Sequence, residues 1–246
     1  MAISAGMVKE LRERTGSGMM ECKKALGEAN GDLDAAVEIL RKSGLAKADK
    51  KSGRTAADGL IVVEASADGR RAAMLEVNCE TDFVAKEPAF INFAKAVAQR
   101  ALSSKPVNVD ELAKLRLNEA DAASVDDVRK TLIAKIGENI GMRRLVIMES
   151  ATGRVASYLH GSRIGVLVEM QGGTPELAKD IAMHVAAAKP VCVNESEVPA
   201  DVIAKEKEIF AAQAQESGKP ADIIEKMVQG RVKKYLKEVT LLGQPF

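Results

Sequence analysis

The stretch GLIVVEASADGRRAAMLEVN, Gly59 to Asn78, decides the architecture. Two runs rich in β-branched and apolar residues flank Asp68-Gly69, a dipeptide whose members tolerate positive φ, and that combination predicts a β-hairpin. Helix-forming sequence follows from about Thr81 to Ile140, interrupted near Lys105-Pro106. A second hairpin-like stretch, RVASYLHGSRIGVLVEMQG, turns around His160-Gly161. Residues 174–188 return to helix, with Leu177, Ile181, Val185 and Ala188 on one stripe. The two halves read as a repeat. Glu76 stands five residues before Thr81 and Glu169 five before Thr174, and the helix openings TDFVAK and TPELAK share Thr, a branched apolar residue, Ala and Lys. Two related strand-hairpin-plus-helix subdomains, with helices set against antiparallel strands, place the chain in the α+β class.

Three short helices are predicted in the first 44 residues. Ser4 caps one carrying Met7, Val8 and Leu11; Ser17 and Gly18 precede Met19, Cys22 and Leu26; Asp32 precedes Leu33, Ala36, Val37 and Leu40, with Gly44 as the stop. A unit this small buries a thin core, which suits a docking module better than a catalytic one. From Arg41 to Arg54, RKSGLAKADKKSGR holds six basic residues and one acid and reads as a linker. Beyond residue 196, PADVIAKEKEIFAAQAQES and PADIIEKMVQGRVKKYLKEV are amphipathic segments separated by Gly218-Lys219, with Pro199 and Pro220 suited to first helical positions. They predict a helical hairpin of coiled-coil type at about 197–239. An exposed apolar seam on it would make a homodimer; the alternative is packing back onto the core. The expected domains are 1–54, 55–140 and 141–246.

Composition excludes several classes. Among 246 residues, 36 Lys and Arg balance 35 Asp and Glu, so no global field marks a nucleic-acid or membrane binder. No apolar run approaches the ~18–20 residues of a membrane span. The start MAISAGMVKELR lacks a signal-peptide apolar region, and Cys22, Cys79 and Cys192 are scattered without metal or redox spacing. A soluble cytoplasmic protein with free thiols is expected. No phosphate-cradling GxxxxGK[ST], GxSxG or HExxH motif is present. His160, at the hairpin tip, reads as surface recognition and His184 as satisfied structure. No catalytic residue, metal site or cofactor is predicted.

The chain has no Trp, two Tyr and five Phe, so Phe83 in NCETDFVAKEPAF stands out. Phe83, Phe90 and Val97 are spaced by seven and would share a face on a continuous helix. Pro88 intervenes, however, and a helix-interior Pro costs roughly 3 kcal/mol, so the helix is expected to break near Lys86-Glu87 and restart. Aligning the repeats on Thr81 and Thr174 matches Val84 to Leu177 and Phe83 to Glu176, a residue type seldom buried unpaired. Phe83 is therefore expected to project, beside an Asp82 that suits the positive end of the helix dipole. Acid and ring together form a compact probe for prying apart packed elements on a partner.

RTGSGMMECKKAL, LEVNCETDFVAK, KIGENI and HGSRIGVLV resemble the signatures of the bacterial elongation factor Ts family, and the resemblance runs from Met1 to the terminal GQPF. It implies a guanine-nucleotide exchange factor for elongation factor Tu, with an N-terminal module similar to a ubiquitin-associated (UBA-like) fold. By that resemblance the turn Thr81, Asp82, Phe83 and Val84 enters the GTP-binding domain of elongation factor Tu, with Phe83 wedging between helices near the Mg²⁺ site. Arg12, Met19, Met20 and Lys23 would meet another helix of that domain, and Ile140 and His160 its last domain. The partner is taken GDP-bound or nucleotide-free, with no nucleotide site on this chain. Family members usually continue past GQPF with a strand and helix; their lack is expected to leave apolar surface uncovered and to lower affinity. A competing reading is an RNA- or ribosome-binding accessory protein using the basic linker with Arg231, Lys233, Lys234 and Lys237, though the near-neutral charge makes nucleic acid the weaker partner.

Overall fold

A computed structural model describes residues 3–120, 122–216 and 218–246. Two compact units divide the chain, Met1–Pro175 and Glu176–Phe246. The mixed helices and antiparallel strands confirm the α+β class.

The first unit begins with helices α1 (Ala5–Thr15), α2 (Met19–Glu28) and α3 (Leu33–Lys51). Ser4 Oγ accepts from Met7 N at 3.3 Å, and Asp32 Oδ1 accepts from Asp34 N and Ala35 N at 2.9 and 3.0 Å, as the capping pattern requires. Val8, Leu11, Cys22, Ala25, Leu26 and Ala36 form a small core of their own.

Gly44 does not end α3. The helix runs seven residues further through the stretch expected as a linker. The reason is tertiary: α3 lies against α7 (Val125–Ile136), and a Cβ on Gly44 would stand 3.2 Å from the Ala134 methyl, so Gly44 is a close-approach site rather than a cap. Basic residues of the stretch join ion pairs, Arg41 with Asp127 at 3.7 Å and Lys47 with Glu21. Lys50 and Lys51 lie in the last turn, where cations favour the helix dipole.

Strands β1 (Asp58–Ala65) and β2 (Arg71–Cys79) pair antiparallel around the Asp68-Gly69 turn, in which only Gly69 takes positive φ. Strand β3 (Gly141–Glu149), expected to open the second subdomain, hydrogen-bonds along β2 instead and completes the sheet β1-β2-β3. The helical stretch between them breaks into α4 (Asp82–Ala85), α5 (Pro88–Ser104), α6 (Val109–Lys114) and α7. Pro88 opens α5 as the expected break requires. Phe90, Phe93, Ala94, Val97, Ala98 and Ala101, spaced by three and one, lay one stripe of α5 on Leu60, Val62, Leu75 and Val77 of the sheet. The opposite sheet face meets the hairpin β4 (Arg154–His160) and β5 (Ile164–Met170): a Cβ on Gly165 would fall 2.6 Å from Met74 Sδ and 2.8 Å from Ile61.

The second unit carries α8 (Pro175–Ala188, whose first residue belongs to the other unit), a 3₁₀ turn at Glu195–Glu197, α9 (Ala200–Gln215) and α10 (Ala221–Val239). On α8 the buried residues are Ala178 and Ala182, while Leu177 is exposed, so the predicted stripe is displaced by one residue. Helices α9 and α10 pack antiparallel through Phe210 and Tyr235, 6.4 Å between centroids, and Arg231, which donates to Gln213 Oε1 at 2.9 Å. Pro199 and Pro220 stand one residue before these helices, as N-caps. No helix among the described residues is long and apolar enough to cross a membrane.

Replacing Phe90, which has no exposed surface, by Ala removes a ring from the interior and is expected to cost about 3–5 kcal/mol. Phe83→Ala is expected to change stability by less than about 0.5 kcal/mol. Urea unfolding of the two variants side by side checks the contrast.

Candidate docking surface

Helix α4 is one turn long and bridges the end of β2 to Pro88. Thr81 caps it, its hydroxyl accepting from Val84 N at 3.4 Å. Consecutive residues of a helix point about 100° apart, and in this turn Val84 takes the inward direction and Phe83 the outward one. Val84 is buried against the sheet and α5. Phe83 is left 80% exposed, the largest exposed fraction of any Phe here. The projecting ring inferred from Pro88 and the repeat is therefore present. Asp82, next to it, accepts from Lys86 Nζ at 2.7 Å.

That hydrogen bond and the ammonium charge hold the Asp82 carboxyl below its ordinary 3.8. Cys79, two residues before Thr81, behaves in the opposite sense. Burial, reinforced by the charge of Glu138, pushes its thiol up to about 11, so it stays protonated and donates to Thr81 O at 3.1 Å. This thiol serves packing rather than reactivity.

The approach to α4 rests on a residue that the sequence reading quoted only as part of KIGENI. Glu138 Oε2 accepts from Glu80 N and Thr81 N, both at 3.0 Å, and its Oε1 accepts from Thr81 Oγ1 at 2.6 Å. Asn139 N donates back to Glu80 Oε1 at 2.7 Å. These partners are 57 to 59 residues apart in sequence, and no local pattern announces them.

The structure brings together the four N-terminal residues. Arg12, Met19, Met20 and Lys23 line one groove of about 690 Å³ between α1 and α2, with Ile3 and Val8 in its wall. Met19 and Met20 are 59% and 75% exposed, a thioether surface framed by cations that adapts readily to an apolar partner. His160 sits at the exposed end of β4, hydrogen-bonded through Nδ1 to the Tyr158 hydroxyl at 3.1 Å. Ile140 is the correction. It has no exposed surface and belongs to the interior beneath the sheet, because it closes the core where the chain enters β3, so its side chain offers no contact. His184 fits its expected structural part: Nε2 lies 3.0 Å from Gln244 Oε1, and Phe246 meets the ring edge-on. Among the described residues no cluster of His, Cys, Asp and Glu is arranged to hold a metal ion.

A groove of about 520 Å³ joins the wedge to the β4–β5 tip, lined by Asp82, Ala85, Lys86, Ile91, Leu159 and Arg163 among others. The β4–β5 turn is pinned there by Ile61 N donating to Ser162 O at 2.7 Å and by the Arg163–Asp58 pair at 2.6 Å. Wedge and tip thus belong to one continuous face of the first unit.

Fold and surface together define an α+β protein whose candidate site is a projecting acid–aromatic turn, with a further apolar groove between its N-terminal helices α1 and α2. The family model described as Elongation factor TS matches residues 80–246, and the chain belongs to the elongation factor Ts family. It is similar to Elongation factor Ts of Methylococcus capsulatus (65% identity over 246 residues) and of Thioalkalivibrio sulfidiphilus (62% over 247), covering 100% of this chain and 83% of each relative. Elongation factor Ts of Nitrosomonas eutropha is 58% identical over 244 residues, covering 99% of this chain and 82% of that relative.

A carboxylate with a depressed folded-state pKa contributes stability above its unfolded value and loses it as pH falls through the lower folded value. The Asp82–Lys86 pair is accordingly expected to persist at pH 3.8 and to open only below it. Carboxyl-detected NMR titration should give a midpoint under 3.8, moving up towards that value in Lys86→Ala.

Proposed function

We propose that this chain binds GDP-bound elongation factor Tu and promotes release of GDP by disturbing its Mg²⁺ and phosphate site, without covalent catalysis, cofactor or nucleotide site of its own. The observation that carries the reading is an 80% exposed Phe83 on a one-turn helix whose approach is held by hydrogen bonds. A large apolar side chain kept out of its own interior at a fixed position is suited to anchor in a partner's pocket. Thr81 and Val84 fix the turn, Phe83 separates packed helices on the partner, and Asp82 competes for cationic groups near the metal.

The physics of exchange requires no more. Mg²⁺ offsets charge between the β-phosphate and a GTPase, so displacing it weakens nucleotide binding without contact to the base. Whatever lowers GDP affinity on binding of the factor lowers factor affinity equally on binding of GDP, so the nucleotide-free partner is held most tightly and GTP completes the cycle. Arg12, Met19, Met20 and Lys23 provide a second contact through a UBA-like module, and His160 a third; Ile140 is left out because it is buried. Segments 1–54, 55–140 and 141–246 contribute separately, except that the strand Gly141–Glu149 is continuous with the sheet of the middle segment. The hairpin of α9 and α10 is of coiled-coil type and able to support a homodimer, and the site of action is the cytoplasm.

Release of labelled GDP from elongation factor Tu tests the reading. The wild-type chain at micromolar concentration should accelerate release, and Phe83→Ala should remove at least about thirtyfold of that acceleration, the worth of an aromatic hot spot of about 2 kcal/mol. A wild-type chain that leaves release unchanged, or a Phe83→Ala variant that matches wild type, overturns it.

A further inference from the structure

We propose that Glu138 is the positioning residue of the Asp82–Phe83 wedge, aiming the ring by gripping the backbone that leads into α4; the inference rests on the exchange reading above. A one-turn helix cannot hold its own direction, because its nucleus fixes several dihedrals for a single internal hydrogen bond. Something outside α4 must therefore orient it. Val84 and the part-buried Ala85 seat the inner side of the turn on the core, but neither holds the backbone of Glu80 and Thr81 that leads into it, which leaves the direction of entry open.

Glu138 closes that freedom. Its carboxylate accepts from Glu80 N, Thr81 N and Thr81 Oγ1, and the same Thr81 oxygen accepts from Val84 N inside the helix. Two backbone N–H groups, a hydroxyl and the first turn are thus tied to one side chain. An ionised carboxylate is an acceptor only, with two oxygens and lone pairs enough for all three donors, and such charge-assisted bonds are roughly twice as strong as neutral ones.

The support beneath Glu138 is itself tied down. Lys51 Nζ donates to Gly137 O at 2.5 Å, and Asn139, which is buried, donates through Nδ2 to Ser52 O and Arg54 O at 3.3 and 2.8 Å. With Asn139 N on Glu80 Oε1, residues 137–139 join the end of α7, the end of α3 and the approach to the wedge. Glu138 need not touch the partner; it acts through the placement of Phe83. A side chain held even about 1 Å from its working position loses much of its effect, which is why supporting contacts of this kind matter.

A double-mutant cycle on labelled-GDP release from elongation factor Tu tests the proposal. Glu138→Ala is expected to lower the acceleration about tenfold, the effect of leaving donors to a charged group without an acceptor. In the Phe83→Ala background the same change should cost less than about twofold, since no ring remains to be aimed. A merely structural role would reduce both backgrounds alike, and that result, or a Glu138→Ala variant with wild-type release, overturns the proposal. Should the alanine variant fail to fold by circular dichroism, Glu138→Asp, one methylene too short to keep all three donors, carries the same cycle and the same two outcomes. Unchanged release by Phe83→Ala alone would instead sink the exchange reading. A crippled Phe83→Ala beside unaffected Glu138 variants would sink only the positioning.

Discussion

Three donors converge on one carboxylate at Glu138, and the projecting turn of the first unit depends on that convergence. The chain leaves β2 at Cys79 and must reverse into a helix within two residues. A reversal this tight strips backbone N–H groups of their strand partners before a helix can supply new ones. Glu138 satisfies the N–H groups of Glu80 and Thr81, and Thr81 passes the support on to Val84 N. The result is a helix of four residues that places an apolar side chain inward and an aromatic one outward.

The two-sided sheet gives this turn a stable base. Helix α5 covers one face with an alanine- and phenylalanine-rich stripe, and the β4–β5 hairpin approaches the other so closely that a Cβ at 165 would force Met74 or Ile61 to shift. A sheet covered on both faces shows burial at successive residues rather than clean alternation, which is the pattern of β2. Its rigidity sets the spacing between the α4 turn and the β4–β5 tip, with the intervening groove between them. The N-terminal groove is supported separately, by the packing of α3 on α7 and the Gly44–Ala134 approach.

Parts of the site were legible in residues alone because local physics settles them. Pro88 must break a helix wherever the chain goes, and with that break the shared face of Phe83 and Phe90 disappears. Asp68-Gly69 between apolar runs makes a hairpin for equally local reasons. Where reading failed, a distant contact had overruled a local preference. Gly44 looked like a stop until Ala134 supplied a reason for it to lie inside a helix. Leu177 looked like the sister of Val84, but α8 turns Ala178 and Ala182 inward. Ile140 was carried over as a contact from a resemblance, which says nothing of burial, and the start of β3 encloses it.

By itself the sequence determined the α+β class, the hairpins, the caps at Ser4 and Asp32, the helix break before Pro88 and the family, because each is written in short-range backbone preferences or in residue identity. Tertiary structure alone decided that β3 joins the first sheet, that α3 runs through its basic stretch, and that Glu138, 57 residues downstream of Thr81, holds the wedge. Those outcomes depend on which surfaces meet after the chain has folded back on itself. A carboxylate in a loop carries no mark of the amides it will accept from until that meeting takes place.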